Sequence, residues 1–345
     1  MKKYLELKNS LKTLIESSKP HDMLPSHSRL MEKYGVSDIT IRKALAELDK
    51  EGLIYTHHGK GRFVSPKIKF FPEIYCVFDN LNMRDAMAQD YIFPTLADNL
   101  NAFLMEKDFE MLLALYRDRE DYERQIIQRL QEKNPHGAIY LYSGIKSNIP
   151  FYQQALDILP NTVFIDRYCP EITASAVTSD NYGTIIKMVE EIKDEKFDAV
   201  FVISDCHRSL TSDETRVKAY MDALSETASR DCIVDLINHK RVTGYQEIYF
   251  RKVTERLGKT KKVCFCCANS SQFRNFFMAH RKELKEQDYV KAFFFDKPMK
   301  TKPKNISITY AEQNLEMIAK EAVRIIWENK GETETVRVPP KIIHF

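Results

Sequence analysis

Between residues 24 and 64 the chain reads LPSHSRLMEKYGVSDITIRKALAELDKEGLIYTHHGKGRFV, an order that two short helices and a hairpin accommodate and little else does. Ser26 follows Pro25 and is placed to cap a first helix over 26–34, because a serine oxygen accepts a backbone N–H that the first turn leaves unpaired. Gly35 stands where a left-handed residue closes a helix. Ser37 is placed to cap a second helix running to about residue 51. Within it, Ile41, Ala44, Leu45 and Leu48 recur at i, i+3, i+4 and i+7. That spacing predicts one buried stripe, with Thr40, Arg42, Lys43 and Glu47 largely outside it. Residues 53–56 and 62–65 read as strands around His57-His58-Gly59-Lys60-Gly61, whose glycines permit a tight tip. The prediction is a helix-turn-helix followed by a wing. Hydroxyls and a guanidinium on one helix, with a basic glycine tip behind it, suit a DNA backbone and groove.

The charge distribution agrees. Residues 1–67 hold 13 Lys/Arg against 8 Asp/Glu, leaving 39 against 41 in the rest of the 345-residue chain. A basic first fifth on a slightly acidic body suits a nucleic-acid module joined to something else. The amphipathic opening MKKYLELKNSLKTLIESS lacks the apolar core of a signal peptide, and no apolar run approaches a membrane span, so a cytoplasmic protein is expected. Seven cysteines, three of them within the apolar run VCFCCA, read as reduced, buried small hydrophobes. A zinc site built from Cys264, Cys266, Cys267 and His280 is the alternative reading of that run, and no metal is expected.

Residues 68–72 read as a linker between a head at 1–67 and a body at 73–345. The body alternates short apolar runs with helical patterns. Runs at 74–79, 109–116, 137–142 and 162–166 form one series, and runs at 197–204, 232–237, 262–268 and 290–296 a second. Strands that are apolar throughout, separated by helices, imply parallel sheets covered on both faces, and two series imply two α/β lobes. The tail adds a run at 306–310, a helix from about 312 to 329, and VRVPPKIIHF. Ten glycines, with no G-x-G-x-x-G, P-loop, G-x-S-x-G or H-E-x-x-H, leave no nucleotide cradle, nucleophile elbow or zinc-protease motif. Ligands of open parallel sheets bind beyond the carboxyl ends of strands. That rule selects Asp79, Asn80, Asp166, Arg167, Asn269 and Asp296. With Arg216, these supply the planar polar groups that sugars need, and Tyr91, Phe93, Tyr142 or Tyr168 supply aromatic faces. Asp180 fits a helix cap better than a ligand contact.

The head resembles the winged-helix domain of the GntR family of bacterial transcription regulators. The resemblance rests on Leu24-Pro25-Ser26, Leu30, Gly35-Val36-Ser37, Thr40 to Leu45, Leu48, Gly52-Leu53-Ile54 and Gly59 to Val64. Ser28 and Asp38 stand where that family often has arginine. The body resembles the LacI-type, periplasmic-binding-protein-like sensor. FIDRY (164–168), VTSDNYG (177–183), Arg216, CANSSQF (267–273), FFFDKP (293–298) and SITYAEQ (307–313) follow that family's order. Ser270 replaces an aspartate that usually grips ligand hydroxyls there.

These resemblances imply an α+β winged helix-turn-helix domain joined to an α/β two-lobed, type I periplasmic-binding-protein-like domain with parallel sheets. They imply a homodimeric repressor of the arabinose-type arrangement that binds a pseudo-palindromic operator on double-stranded DNA and responds to a small effector. A sugar or sugar derivative is the expected effector class, with a pentose or deoxyhexose favoured. The DNA-binding residues are then Ser26, Arg29, Ser37, Thr40, Arg42, Lys43, His58, Gly59 and Lys60. The effector residues are Asp79, Asn80, Phe93, Tyr142, Arg167, Arg216, Asn269 and Asp296. No catalysis, cofactor or membrane contact is implied. A GntR-headed enzyme of the pyridoxal-phosphate aminotransferase type is the rival from another class, but the body is short for that fold and shows no recognisable Schiff-base lysine motif. A sensor with a non-functional pocket, acting as a constitutive dimer, is the other alternative.

Overall fold

A computed structural model describes residues 3–66, 71–78, 92–116, 119–159, 161–204, 210–227, 233–237, 245–297, 304–328 and 331–345. They fall into two compact units, 1–71 and 72–345. Asp79, Asn80, Tyr91 and positions 68–70 lie outside the described residues.

In the head, α1 (Lys3–Ser17) buries Leu7, Leu11 and Ile15, spaced four apart on one face. Helices α2 (His27–Tyr34) and α3 (Asp38–Lys50) follow. The stripe Ile41, Ala44, Leu45 and Leu48 is buried as its spacing predicts. Each of its larger side chains contributes about 1.5–3 kcal/mol relative to exposure. Lys8 of α1 reaches Glu47 at 2.8 Å and Glu51 at 2.6 Å, and those carboxylates push its ammonium pKa upward. The wing pairs β1 (Ile54–His57) with β2 (Gly61–Val64) antiparallel, His57 opposite Gly61. Each strand lies one residue closer to the tip than the apolar pattern predicts. Gly59 at φ +76° and Gly61 at φ +123° allow a three-residue tip, which lets His57 and Gly61 pair.

The body holds two six-stranded sheets. The first contains β3 (Glu73–Phe78), β4 (Glu110–Leu115), β5 (Gly137–Tyr140), β6 (Thr162–Ile165), β7 (Ser175–Ser179) and β13 (Thr335–Val338). Its order is β13-β7-β6-β5-β3-β4, parallel throughout. The second contains β8 (Ala199–Ser204), β9 (Ile233–Ile237), β10 (Lys262–Cys267), β11 (Tyr289–Phe295), β12 (Ile306–Glu312) and β14 (Lys341–His344). Its order is β14-β12-β11-β10-β8-β9. There the sequence expectation needs correction, because β14 runs antiparallel to β12. The chain enters it directly from β13 through Pro339-Pro340, with no crossover helix to restore direction.

Strand β7 has no counterpart in the two predicted series. Its residues, SAVTS, are all buried, but small and hydroxylic side chains dilute the apolar run. The chain passes between sheets three times: after β7, after β12 and between β13 and β14. Helix Leu315–Glu328 therefore packs on the first sheet, where Ile318, Ala322 and Ile326 join its core. It starts later than predicted because β12 runs on to Glu312 and the Asn314 side chain caps Met317 N at 3.1 Å.

Candidate nucleic-acid interface and effector cleft

The interface in the head is built from caps outward. The Ser26 hydroxyl accepts from Arg29 N at 3.4 Å, and Gly35 closes α2 at φ +60°. The Ser37 hydroxyl accepts from Thr40 N at 3.4 Å and shares a 2.9 Å hydrogen bond with Thr40 Oγ1. These caps present the N-terminal end of α3, whose unpaired N–H groups favour an anion. Arg42 and Lys43 are exposed and Thr40 is half-buried. A groove of about 480 Å³ runs between the start of α2 and the wing, lined by Ser26, His27, Thr56, His58, Lys60 and Arg62 among others. Ser26, His58, Gly59 and Lys60 thus border one concavity, while Arg29 is exposed on α2.

Asp38 opens α3 and uses both carboxylate oxygens. Oδ2 accepts from Arg42 Nε at 2.6 Å, and Oδ1 lies 3.0 Å from His27 Nδ1. The far His27 nitrogen, Nε2, lies 2.5 Å from Arg62 Nη1 on β2. His27 and then Arg42 hold the Asp38 carboxyl below its usual range. The sequence reading missed this chain. Its i, i+4 half, Asp38–Arg42, is visible in the spacing; His27 and Arg62 meet it only through the fold.

In the body, the carboxyl ends of β6 and β11 repeat one geometry. Asp166 at φ +61° donates its N–H to Val177 O at 2.9 Å, and Asp296 at φ +72° donates its N–H to Ala311 O at 2.9 Å. Left-handed backbone at a non-glycine residue costs energy, and such positions concentrate at binding sites. Arg167 is half-buried beside Asp166, its Nε 3.8 Å from Oδ2. Arg216 is 3% exposed and held on several sides. It donates to Asn181 Oδ1 at 2.7 Å and to Ala268 O at 3.1 Å, and stacks on the Phe295 ring at 3.8 Å. Asn269 caps the helix Ser270–Ala279 by accepting from Gln272 N at 3.0 Å. Asp180 likewise caps the helix Asn181–Val189, accepting from Gly183 N at 3.1 Å.

Phe93 and Tyr142 sit in packed cores. Phe93 is 4% exposed and meets Phe78 edge-on at 5.0 Å. Tyr142 is 2% exposed against Tyr152 and Phe164, and burial pushes its phenol pKa up. Contacts absent from the sequence reading tie the lobes together. Ser179 Oγ donates to Gln313 Oε1 at 2.7 Å, and Gln313 Nε2 donates to Asp296 Oδ1 at 2.8 Å. The Thr211 hydroxyl accepts from Tyr168 N at 3.1 Å and donates to its carbonyl at 3.0 Å. Cys264 and Cys266 pack on one face of β10 and Cys267 on the other, so strand alternation aims them apart. No helix among the described residues is long and apolar enough to cross a membrane.

These features define a class: a winged helix-turn-helix head joined in one chain to a two-lobed, periplasmic-binding-protein-like body. Residues 3–64 match the family of bacterial regulatory proteins, gntR family. A curated relative, the arabinose metabolism transcriptional repressor of Geobacillus stearothermophilus, is 30% identical over 49% of this chain and 48% of its own, so the chain spans about half of that relative's length. Among solved structures, the Cra transcriptional dual regulator from Pseudomonas putida, in complex with fructose 1-phosphate, superposes with a TM-score of 0.63 at 13% identity, covering 79% of this chain and 98% of the other. A LacI transcriptional regulator from Lactobacillus brevis gives 0.60 at 14%, covering 78% and 99%. At such identities the likeness concerns the fold.

Proposed function

We propose that this chain is a cytoplasmic transcription repressor that binds an operator as a homodimer and releases or tightens it when its two-lobed body takes up a small carbohydrate. The observation that carries this reading is the capped α3, with Arg42 and Lys43 exposed, and a groove lined by His58 and Lys60, in the same chain as two largely parallel sheets with polar carboxyl ends. Thr40, Arg42 and Lys43 enter the major groove, Ser26, Arg29 and Ser37 hold phosphates, and His58, Gly59 and Lys60 follow the adjacent backbone. In the body, Arg167, Asn269 and Asp296 face the sugar. Arg216 supports that rim from beneath, given its buried bonds to Asn181 and Ala268. A pentose is the first effector to test, because the curated relative is named for arabinose metabolism.

The test has two arms on the full-length protein. Selection from a random duplex library should yield a two-fold symmetric site whose affinity falls steeply with salt. A thermal-shift screen against pentoses, deoxyhexoses and phosphosugars should raise the melting temperature with one class. Selection of no symmetric site, or a body indifferent to every sugar, contradicts the corresponding half. An absorbance band of a pyridoxal Schiff base in the purified protein would favour the enzyme reading instead.

A further inference from the structure

A carboxylate at the start of a DNA-facing helix repels phosphates, so Asp38 calls for a physical reason. An exposed i, i+4 ion pair contributes little stability, so the Asp38–Arg42 contact is weak as a fold-stabilising device. What sets it apart is direction. Asp38 Oδ2 takes the Nε of Arg42 at 2.6 Å, which fixes the plane of the guanidinium, while the Arg42 side chain as a whole is 70% exposed. Among the described residues the structure records no hydrogen bond to Arg42 Nη1 or Nη2. Those two nitrogens form the end-on edge that matches the O6 and N7 acceptors of guanine in the major groove.

The other carboxylate oxygen is anchored. Oδ1 lies 3.0 Å from His27 Nδ1, and His27 Nε2 lies 2.5 Å from Arg62 Nη1. An ionised carboxylate only accepts and a guanidinium only donates, so the directions put the ring proton on Nδ1 and the lone pair on Nε2. The result is a four-residue chain from β2 through α2 to α3 that allows Asp38 little freedom to turn.

We propose that Asp38 is a positioning residue for base reading: it clamps Arg42 Nε so that the Nη edge meets one guanine in each operator half-site. Asp38 then acts through Arg42 and reads no base itself. This rests on the assignment of Arg42 to the major groove.

The probe is a randomised duplex library, selected separately with full-length wild type, Arg42→Ala, Asp38→Ala and Asp38→Asn, followed by anisotropy titrations of single-base variants of the wild-type site. The wild-type site should carry a guanine in each half whose replacement costs roughly tenfold or more in affinity. Arg42→Ala should erase that preference. Asp38→Ala should weaken it at the same position by several-fold while tightening binding to unrelated duplex, because one negative charge is gone. Asp38→Asn, which keeps an acceptor for Nε, should restore part of it. A merely structural role would not move discrimination and non-specific affinity in opposite directions. An Asp38→Ala protein with the wild-type preference overturns the proposal and leaves the Arg42 assignment standing. A preference lost at a different base pair from the Arg42→Ala loss also overturns it, since Asp38 would then read a base. Unchanged selection by Arg42→Ala removes the major-groove assignment itself.

Discussion

Arg216 and Arg167 read alike in the sequence, as arginines aimed at a ligand, yet they sit differently. Arg216 is 3% exposed and bonded to Asn181 and Ala268, whereas the Arg167 side chain keeps 12% exposure at the end of β6. Truncating a buried, bonded cation costs on the order of 3 kcal/mol because its partners lose their donors inside the protein. Arg216→Ala is therefore expected to lower the melting temperature of the body strongly, and Arg167→Ala to lower it less while removing the sugar-induced shift; thermal melts with and without sugar distinguish the two. Asp38 gives a pH prediction. Its folded pKa lies below the ordinary 3.8. Its contribution to head stability is therefore full above that value and disappears as pH falls through the lower folded one. The melting difference between wild type and Asp38→Asn should be constant near neutrality and shrink in strong acid; a difference that grew on acidification would contradict the sign. Caps such as Ser26, Ser37 and Asp180 were legible in the sequence because a cap is a local event. The roles of Phe93 and Tyr142 were not, since aromatic type alone does not separate a core side chain from a pocket wall.

Among the elements, the buried stripe of α3 and the apolar central strands of both sheets follow directly from period and composition. What the pattern hid was edge and turn geometry. The wing closes one residue tighter because Gly59 and Gly61 take positive φ, β7 hides behind serine and threonine, and β14 runs backwards as a half-exposed edge. Gly137 opens β5, and a Cβ there would meet Asn161 O at 2.7 Å and Ile326 Cδ1 at 3.1 Å. The conflict is with backbone, which cannot step aside. Gly137→Ala should cost about 1–3 kcal/mol, the range of core overpacking. A drop of several degrees in the melting temperature checks this, and an unchanged midpoint would show that helix Leu315–Glu328 and the Asn161 turn yield freely.

For the whole molecule, the alternation of strands and helices made the two-lobed body legible, because each βαβ unit must cover a sheet face. The three crossings were not legible, since nothing local marks where a chain leaves one sheet for another. Their consequence is that Ser179, Gln313 and Asp296, distant in sequence, share one hydrogen-bonded run at the junction of the lobes. Coupling between a sugar and DNA requires only that each prefers a different state of the protein, and it is reciprocal. The most direct test is the dissociation constant of the full-length protein for its selected duplex, followed by fluorescence anisotropy with and without a saturating sugar that raises its melting temperature. A change of tenfold or more, matched by an equal change in sugar affinity when DNA is bound, is the predicted result. A sugar that binds the body and leaves the DNA dissociation constant unaltered would contradict the account.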